Sequence, residues 1–422
     1  MRSRAAVAAA GLMLLLAACT SPPAAPPTPA PTAPPGTPAP PESLVDGAFT
    51  PLVITPLAPD PVPVRGTDGQ IHVSYELTVL NAAPRDATIT SAETLADGPD
   101  GRVVTTVQGP EVVARSIIVG EYLLPPVPAT TVPAGKTVLL VLDDVYPDRG
   151  AVPATVTHRI SATFGPLSPD QAPFASNFPA DLGGVVGVVR TGTGEPVRIG
   201  PPLRGPDWFA FNACCELSAH RGAMIPIGGR INGAERYAID WVQIDPTVKP
   251  LFDAATGEPV GLFRGDLTRN EDYLSYDQPL IAVADGSVAY VADDLPDAVP
   301  PTILTGLTAA QLGGNYVVLE IGPGQYAFYA HIKPGTVAVK VGDRVTKGQE
   351  IGRLGNSGST TAPHLHFHVM SSTQPLTATN LPFEIEAFDL QGTAAESGFV
   401  PAPDAGSRTD ELPLIDSVVR FP

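Results

Sequence analysis

The chain has 422 residues, which suits one to three domains. Its 41 glycines and 50 prolines, against 6% aromatic residues, argue against long helices and for short strands joined by turns. A net charge of -18 disfavours nucleic acid, whose binding rests on Lys and Arg neutralising phosphates, and disfavours electrostatic adhesion to anionic lipid.

At the N-terminus, Arg2 and Arg4 precede a short apolar run from Ala5 to Leu16, and Leu16-Ala17-Ala18 places small residues before Cys19. The run is too short to cross a bilayer, so residues 1–19 read as an export signal. Leu16-Ala17-Ala18-Cys19 resembles the lipobox of bacterial lipoproteins, which implies cleavage before Cys19 and a lipid on its thiol and amine. Several acyl chains would hold the protein to the outer face of a membrane where one would not. Residues 20–43 are rich in Pro, Ala and Thr, cannot bury a core, and are expected to form an extended polyproline-like tether.

Residues 44–167 alternate apolar and polar side chains. His72–Leu80 puts Val73, Tyr75, Leu77 and Val79 on one face, Lys136–Leu142 forms a second apolar strand, and Ala154–Phe164 a third, with Val156, Ile160, Ala162 and Phe164 on one face. Such strands with Pro, Gly and Asp breaks predict a β-sandwich, loosely similar to an immunoglobulin-type domain. No chemical constellation lies in it: His72 and His158 read as structural strand residues, and the module reads as a spacer or interaction domain. Residues 168–200 read as a Pro/Gly-rich connecting segment with one short strand, Gly184–Val189.

Residues 201–391 form the next expected domain and hold five of the seven histidines. Cys214 and Cys215 are neighbours, with Cα atoms about 3.8 Å apart across an ordinary peptide, below the usual disulfide span. Two reduced, buried thiols are the first expectation and a vicinal disulfide the second; zinc ligation lacks the usual two-residue spacer. Further on, Val339–Gly352 reads as a glycine-punctuated hairpin. After the Gly355-Asn356-Ser357-Gly358 turn comes Pro363-His364-Leu365-His366-Phe367-His368-Val369. Side chains alternate along a strand, so His364, His366 and His368 share one face while Leu365 and Phe367 point into a core on the other. Three imidazoles on one face have little structural use without partners.

The stretch from Gly342 to Val369 resembles the lysostaphin/LytM-type peptidoglycan endopeptidases. Pro279–Val288, Asn315–Glu320 and Tyr329-Ala330-His331 are similar to that family's earlier strands, so the likeness covers roughly residues 205–385, with insertions near 245–275 and 291–313. The resemblance implies a duplicated-hybrid-motif peptidase domain, so that with the immunoglobulin-like sandwich predicted before it the chain is expected to be all-β. It also implies one Zn²⁺ held by a His and an Asp four residues apart and by the second His of the His-x-His, with an open position for water. Carried over by position, His366 and Asp240 are ligands, while His331 and His364 match two histidines that orient or deprotonate the water and steady the oxyanion. His368 stands where the family more often has an acidic residue, and reads as a neighbour of the site rather than a ligand.

The sequence departs from the pattern at Arg236, four residues before Asp240, where the family has His. A guanidinium stays protonated and has no free lone pair, so it cannot ligate zinc. His220 is the one spare histidine in this half. Reading Met224–Ile227 and Arg236–Asp240 as two strands with the turn centred between Arg230 and Ile231 puts Asp240 opposite about position 221, so His220 becomes the candidate third ligand. The leading expectation is an exported zinc endopeptidase, lipid-tethered at the cell envelope and acting on peptidoglycan peptides. The alternative is a domain of the same fold that has lost catalysis and binds wall or regulates another hydrolase. A carrier role would leave the histidines idle. Residues 392–422, rich in Ala, Gly, Pro and Ser, are expected to be a mostly unordered tail.

Overall fold

The computed structural model describes residues 50–57, 60–120, 131–177, 180–252, 260–395 and 397–422. The signal segment, Cys19 and the 20–43 tether lie outside the described residues.

The first strands are β1 (Leu52–Pro56), β2 (Val64–Arg65), β3 (Ile71–Asn81), β4 (Ala87–Ala96), β5 (Val103–Gln108), β6 (Ser116–Ile118), β7 (Thr137–Tyr146), β8 (Thr155–Phe164) and β9 (Asp181–Arg190), with the short helix α1 (Pro110–Ala114) before β6. They form two antiparallel sheets, β1-β3-β7-β6 with β2 also on β3, and β5-β4-β8-β9. The alternation read along His72–Leu80 explains their packing: Val73, Tyr75, Leu77 and Val79 of β3 meet Ala92, Val156, Ile160 and Ala162 of the second sheet in one core. The 168–200 segment is more than a connector, because β9 pairs along β8 from Thr155↔Arg190 to Thr163↔Asp181 and extends the sandwich past residue 167. Nothing beyond this two-sheet packing supports the immunoglobulin-type assignment.

His158 stands in that core at 0% exposure. Its Nδ1 donates to the Gly187 carbonyl at 2.7 Å, and its Nε2 lies 2.7 Å from the Tyr75 hydroxyl, which is also 2.7 Å from Asp144 Oδ2. Burial pushes the imidazole down to about 4, so it is neutral when folded. A group with a depressed folded pKa stabilises fully above its unfolded pKa, near 6.5, and that contribution is lost as pH falls through about 4. Asp144, pushed up to about 6 by burial, titrates in the opposite sense, so the effect is read as a difference between variants. The stability advantage of wild type over His158→Gln is expected to shrink by on the order of 3 kcal/mol between pH 7 and pH 4. Urea titrations at the two pH values measure it; a constant difference contradicts the account.

The second half contributes β10 (Val197–Ile199), β11 (Gly205–Phe211), the four-residue helix α2 (Ala219–Gly222), β12 (Met224–Ile227), β13 (Arg230–Gly233), β14 (Ile239–Gln243), β15 (Pro279–Ile281), β16 (Gly286–Ala292), β17 (Tyr316–Gly322), β18 (Gln325–Ala330), β19 (Arg344–Val345) and β20 (Glu350–Arg353). It ends with β21 (Leu365–Met370), β22 (Asn380–Leu381), β23 (Phe383–Ile385), β24 (Phe388–Ala395), β25 (Gly398–Arg408) and β26 (Ser417–Phe421). Most of these strands join one antiparallel sheet, ordered β19-β16-β17-β18-β21-β14-β11-β26-β24-β25. One face of its middle buries Trp208, Ile239, Trp241, Tyr329, Leu365 and Phe367.

Two expectations are corrected here. The stretch 339–352 is not a self-paired hairpin: β19 pairs with β16 of the large sheet and β20 with β15 of a separate pair, so the chain turns a corner between sheets. The tail from Gly392 is ordered. β26 lies between β11 and β24, and its alternation sends Val419 and Phe421 into the main core and Val418 into a smaller cluster on the other side. Tail composition pointed to disorder, but three buried apolar residues in one strand supply the burial that orders it.

The sandwich and the second half share a boundary. The outward face of β3 is buried from His72 to Glu76, with Ser74 at 0% and Glu76 at 1% exposure, and opens to solvent only at Thr78 and Leu80. Beside them Ile117, Leu139 and Val141 of the sandwich cluster with Met224 of β12. The described residues of the two halves accordingly belong to one compact unit.

Candidate metal centre

Register explains why two of the site residues meet. Asp240 of β14 lies directly opposite His366 of β21, and residues paired across a strand point to the same face. His364, two residues before His366, shares that face. His331 follows β18, whose last residue, Ala330, also pairs with His366. Its backbone is left-handed (φ 61°), a region unusual for a non-glycine residue. It is held there by its N–H on the Gly313 carbonyl and by Gly355 N–H on its own carbonyl, which re-aims the ring towards His364. His220 arrives from α2, whose N-terminal Ser218 side chain accepts from Arg221 N–H.

The three candidate ligand atoms form a nearly equilateral triangle. His220 Nε2 is 3.2 Å from Asp240 Oδ1, His366 Nδ1 is 3.1 Å from Asp240 Oδ1, and His366 Nδ1 is 3.1 Å from His220 Nε2. Each opposite atom is already occupied. His220 Nδ1 faces the carbonyls of Asn212 and Ala238 at 3.0 and 3.1 Å, Asp240 Oδ2 accepts from Asn212 Nδ2 at 2.9 Å, and His366 Nε2 lies 3.1 Å from His368 Nδ1. A tetrahedral zinc with bonds near 2.0–2.1 Å requires ligand atoms about 3.3 Å apart, so the donor set and its spacing fit that ion.

The electrostatics agree with a cation at this point. Burial would raise the Asp240 carboxyl, but His220 and His364 hold it well below the usual carboxylate range. Burial would lower His220, but Asp240 holds it up at about 9. Burial and the neighbouring imidazoles His364 and His366 push His331 well below its ordinary value, and burial with His366 and His220 does the same to His368. His364 is raised by Asp240 against its own burial; its Nε2 is 3.2 Å from Asp240 Oδ1 and its Nδ1 2.9 Å from the Ala362 carbonyl. His331 Nδ1 donates to the Ser357 carbonyl at 2.7 Å.

His220 reaches the site by a route other than hairpin register. The tight turn is Gly228-Gly229, both glycines at positive φ (66° and 74°), and it joins β12 to β13, with Met224 opposite Gly233. Asp240 is on a different strand altogether, in the large sheet. Two consecutive glycines are the sequence signal for a two-residue hairpin turn, and centring the turn at Arg230-Ile231 overlooked it. Arg236 points away from the site into a buried ion pair with Glu76. Asn212 carries no sequence signal: it follows β11 in left-handed backbone (φ 53°), and no spacing rule ties it to Asp240, 28 residues on. Cys214 and Cys215 form a buried disulfide across a cis peptide, against the expectation of two free thiols. The only other described group with three ligand-type atoms close together is His72, Asp143 and Cys215, and its sulfur is committed to Cys214.

Comparison with known proteins matches the histidine strand to a described family. Residues 273–378 match the model of Peptidase family M23, a stretch that includes His331, His364, His366 and His368. It begins after His220 and Asp240, so those two rest on the geometry above. The chain carries a peptidase M23 domain with lysostaphin/LytM-type relatives. The peptidoglycan DD-endopeptidase ShyA of Vibrio cholerae serotype O1 is 39% identical over 71 residues, 16% of this chain and 16% of that one. The glycyl-glycine endopeptidase ALE-1 of Staphylococcus capitis is 32% identical over 116 residues, 27% of each. The matched stretch therefore spans between about a sixth and about a quarter of these relatives' length. Among solved structures, the catalytic domain of lysostaphin from Staphylococcus simulans matches 42% of this chain and 88% of its own at 21% identity, with a TM-score of 0.23.

Proposed function

We propose that the protein is a zinc endopeptidase that cuts peptidoglycan peptides, with His220, Asp240 and His366 as metal ligands. The observation that carries this reading is the ligand triangle, with edges of 3.1 to 3.2 Å and every opposite atom already held. The M23 match, the peptidoglycan DD-endopeptidase ShyA and the glycyl-glycine endopeptidase ALE-1 support the substrate class. When bound, the ion would polarise the scissile carbonyl and acidify a water molecule.

The chain's own groups divide the remaining work. Asn212 and the Asn212 and Ala238 carbonyls orient Asp240 and His220, and His368 orients His366. His331 and His364 each have Nδ1 turned to a backbone carbonyl, which leaves Nε2 as the atom that takes and returns a proton. His364 Nε2 borders the ligand triangle at 3.2 Å from Asp240 Oδ1, so His364 is the nearer general base. His331, with ring centroids 4.6 Å from His364, is placed to steady developing charge on the substrate oxygen once protonated. The reading that catalysis is lost had Arg236 as its motive. With that guanidinium committed to Glu76 and His220 beside Asp240, no observation favours it.

Action on wall peptides would suit a place at the cell envelope, where a lipid on Cys19 and the 20–43 segment would hold the protein to the membrane. The test is to express residues 44–422, measure bound zinc, and assay release of muropeptides from purified wall. Wild type is expected to hold one zinc per chain and release peptides, and His366→Ala to do neither. Wild type without zinc at neutral pH, or full release by His366→Ala, sinks the proposal.

A further inference from the structure

Glu76 occupies the middle of β3 on the face turned away from the sandwich's own core, and is 1% exposed. Two guanidinium groups from the other half close on it. Arg236 Nε donates to both carboxylate oxygens at 2.9 and 2.8 Å, and Arg236 Nη2 donates to Oε2. Arg221 donates to Oε1 through Nε at 3.2 Å and Nη2 at 2.9 Å. Arg221 also donates to the carbonyls of Tyr75 and Leu142 in the sandwich and of Cys215 on its own side. The Tyr237 hydroxyl adds a bond to the Ser74 carbonyl at 3.3 Å.

The two arginines flank the two ligands that come from outside the histidine strand. Arg221 directly follows His220. Arg236 precedes Asp240 by four residues, and the intervening Ala238 carbonyl is one of the two that face His220 Nδ1. Adhesion alone would not call for this arrangement. Burying ions costs desolvation, and apolar residues of similar volume often hold such a boundary as well or better. An apolar cluster of Ile117, Leu139, Val141 and Met224 already does so here. A carboxylate shared by two planar forks adds direction, because guanidinium–carboxylate pairing fixes orientation as well as distance.

We infer that Glu76 is a positioning residue of the metal centre: one carboxylate of the β-sandwich fixes both segments that present His220 and Asp240. The sandwich is then a scaffold of the active site and not a spacer. This rests on the proposed ligand set.

The test measures zinc affinity by competition with a chromogenic chelator, alongside the Tm of the zinc-free protein. The proteins are wild type, Glu76→Gln, Glu76→Asp, Arg236→Met, and Val156→Ala as a control that destabilises the sandwich core away from Glu76. Glu76→Gln and Arg236→Met are expected to raise the zinc Kd about tenfold, the lower end of what losing an orienting partner costs. Glu76→Asp should recover part of that loss, and Val156→Ala should lower Tm while leaving Kd within about twofold of wild type. Should Glu76→Gln not fold, Arg236→Met carries the test, because Glu76 keeps Arg221 as a neutral pair. Variants at Glu76 and Arg236 that bind zinc like wild type overturn the inference, as does a control that weakens zinc equally. A wild type that binds no zinc overturns the ligand set and this inference together.

Discussion

Replacing His220 with alanine is expected to weaken zinc binding by about 10²- to 10³-fold and to abolish peptide release at ordinary zinc concentrations. The magnitude follows from sharing about 10–16 kcal/mol of zinc binding among about four ligands, which gives roughly 2.5–4 kcal/mol for each. The change leaves Asp240 with one imidazole partner fewer, but His364 and His366 still face it at 3.2 and 3.1 Å, so the domain should stay folded. His220 lies outside the stretch that matches the family model, which makes it the ligand whose assignment is most exposed to test. Chelator competition on His220→Ala measures it. A Kd within tenfold of wild type would show that another group completes the site.

His364→Gln is expected to separate chemistry from metal binding. Its Nε2 borders the ligand triangle without belonging to it, and glutamine keeps a polar group near the Ala362 carbonyl that His364 Nδ1 faces at 2.9 Å. Zinc content should therefore stay at one per chain, while kcat for wall peptides falls by about 10²- to 10⁴-fold, the range expected when a general base is lost. The pH–rate profile should also lose its acid limb, because no imidazole remains at that position to be protonated. Loss of zinc in parallel with activity would instead make His364 a ligand and leave the triangle incomplete.

Period-two alternation made parts of the site legible before any coordinates. It predicts that His364, His366 and His368 share a face opposite Leu365 and Phe367, and in the structure the two apolar residues lie in the main core while the imidazoles line the other side. Alternation says nothing about which strands become neighbours. The Asp240–His366 pairing joins residues 126 apart, and the Asn212–Asp240 bond joins 28. Hairpin register does not bring His220 to the site: the turn lies at Gly228-Gly229, and α2 sets His220 3.2 Å from Asp240. Glu76 carries no sequence signal of its role, because alternation identifies one buried face of β3 and cannot say that the other is covered. The tail was misread from composition, which averages away the Val418, Val419 and Phe421 that order β26. Cys214 and Cys215 were judged by the span of a trans peptide, and the bond between them is cis.

The most direct test of the central claim is a crystal structure of the zinc-loaded protein with anomalous differences collected at the zinc edge. The account predicts one strong peak within about 2.2 Å of His220 Nε2, Asp240 Oδ1 and His366 Nδ1, with Arg236 still on Glu76. A peak at His72 and Asp143, or one held by His366 and Asp240 with His220 turned away, would contradict it.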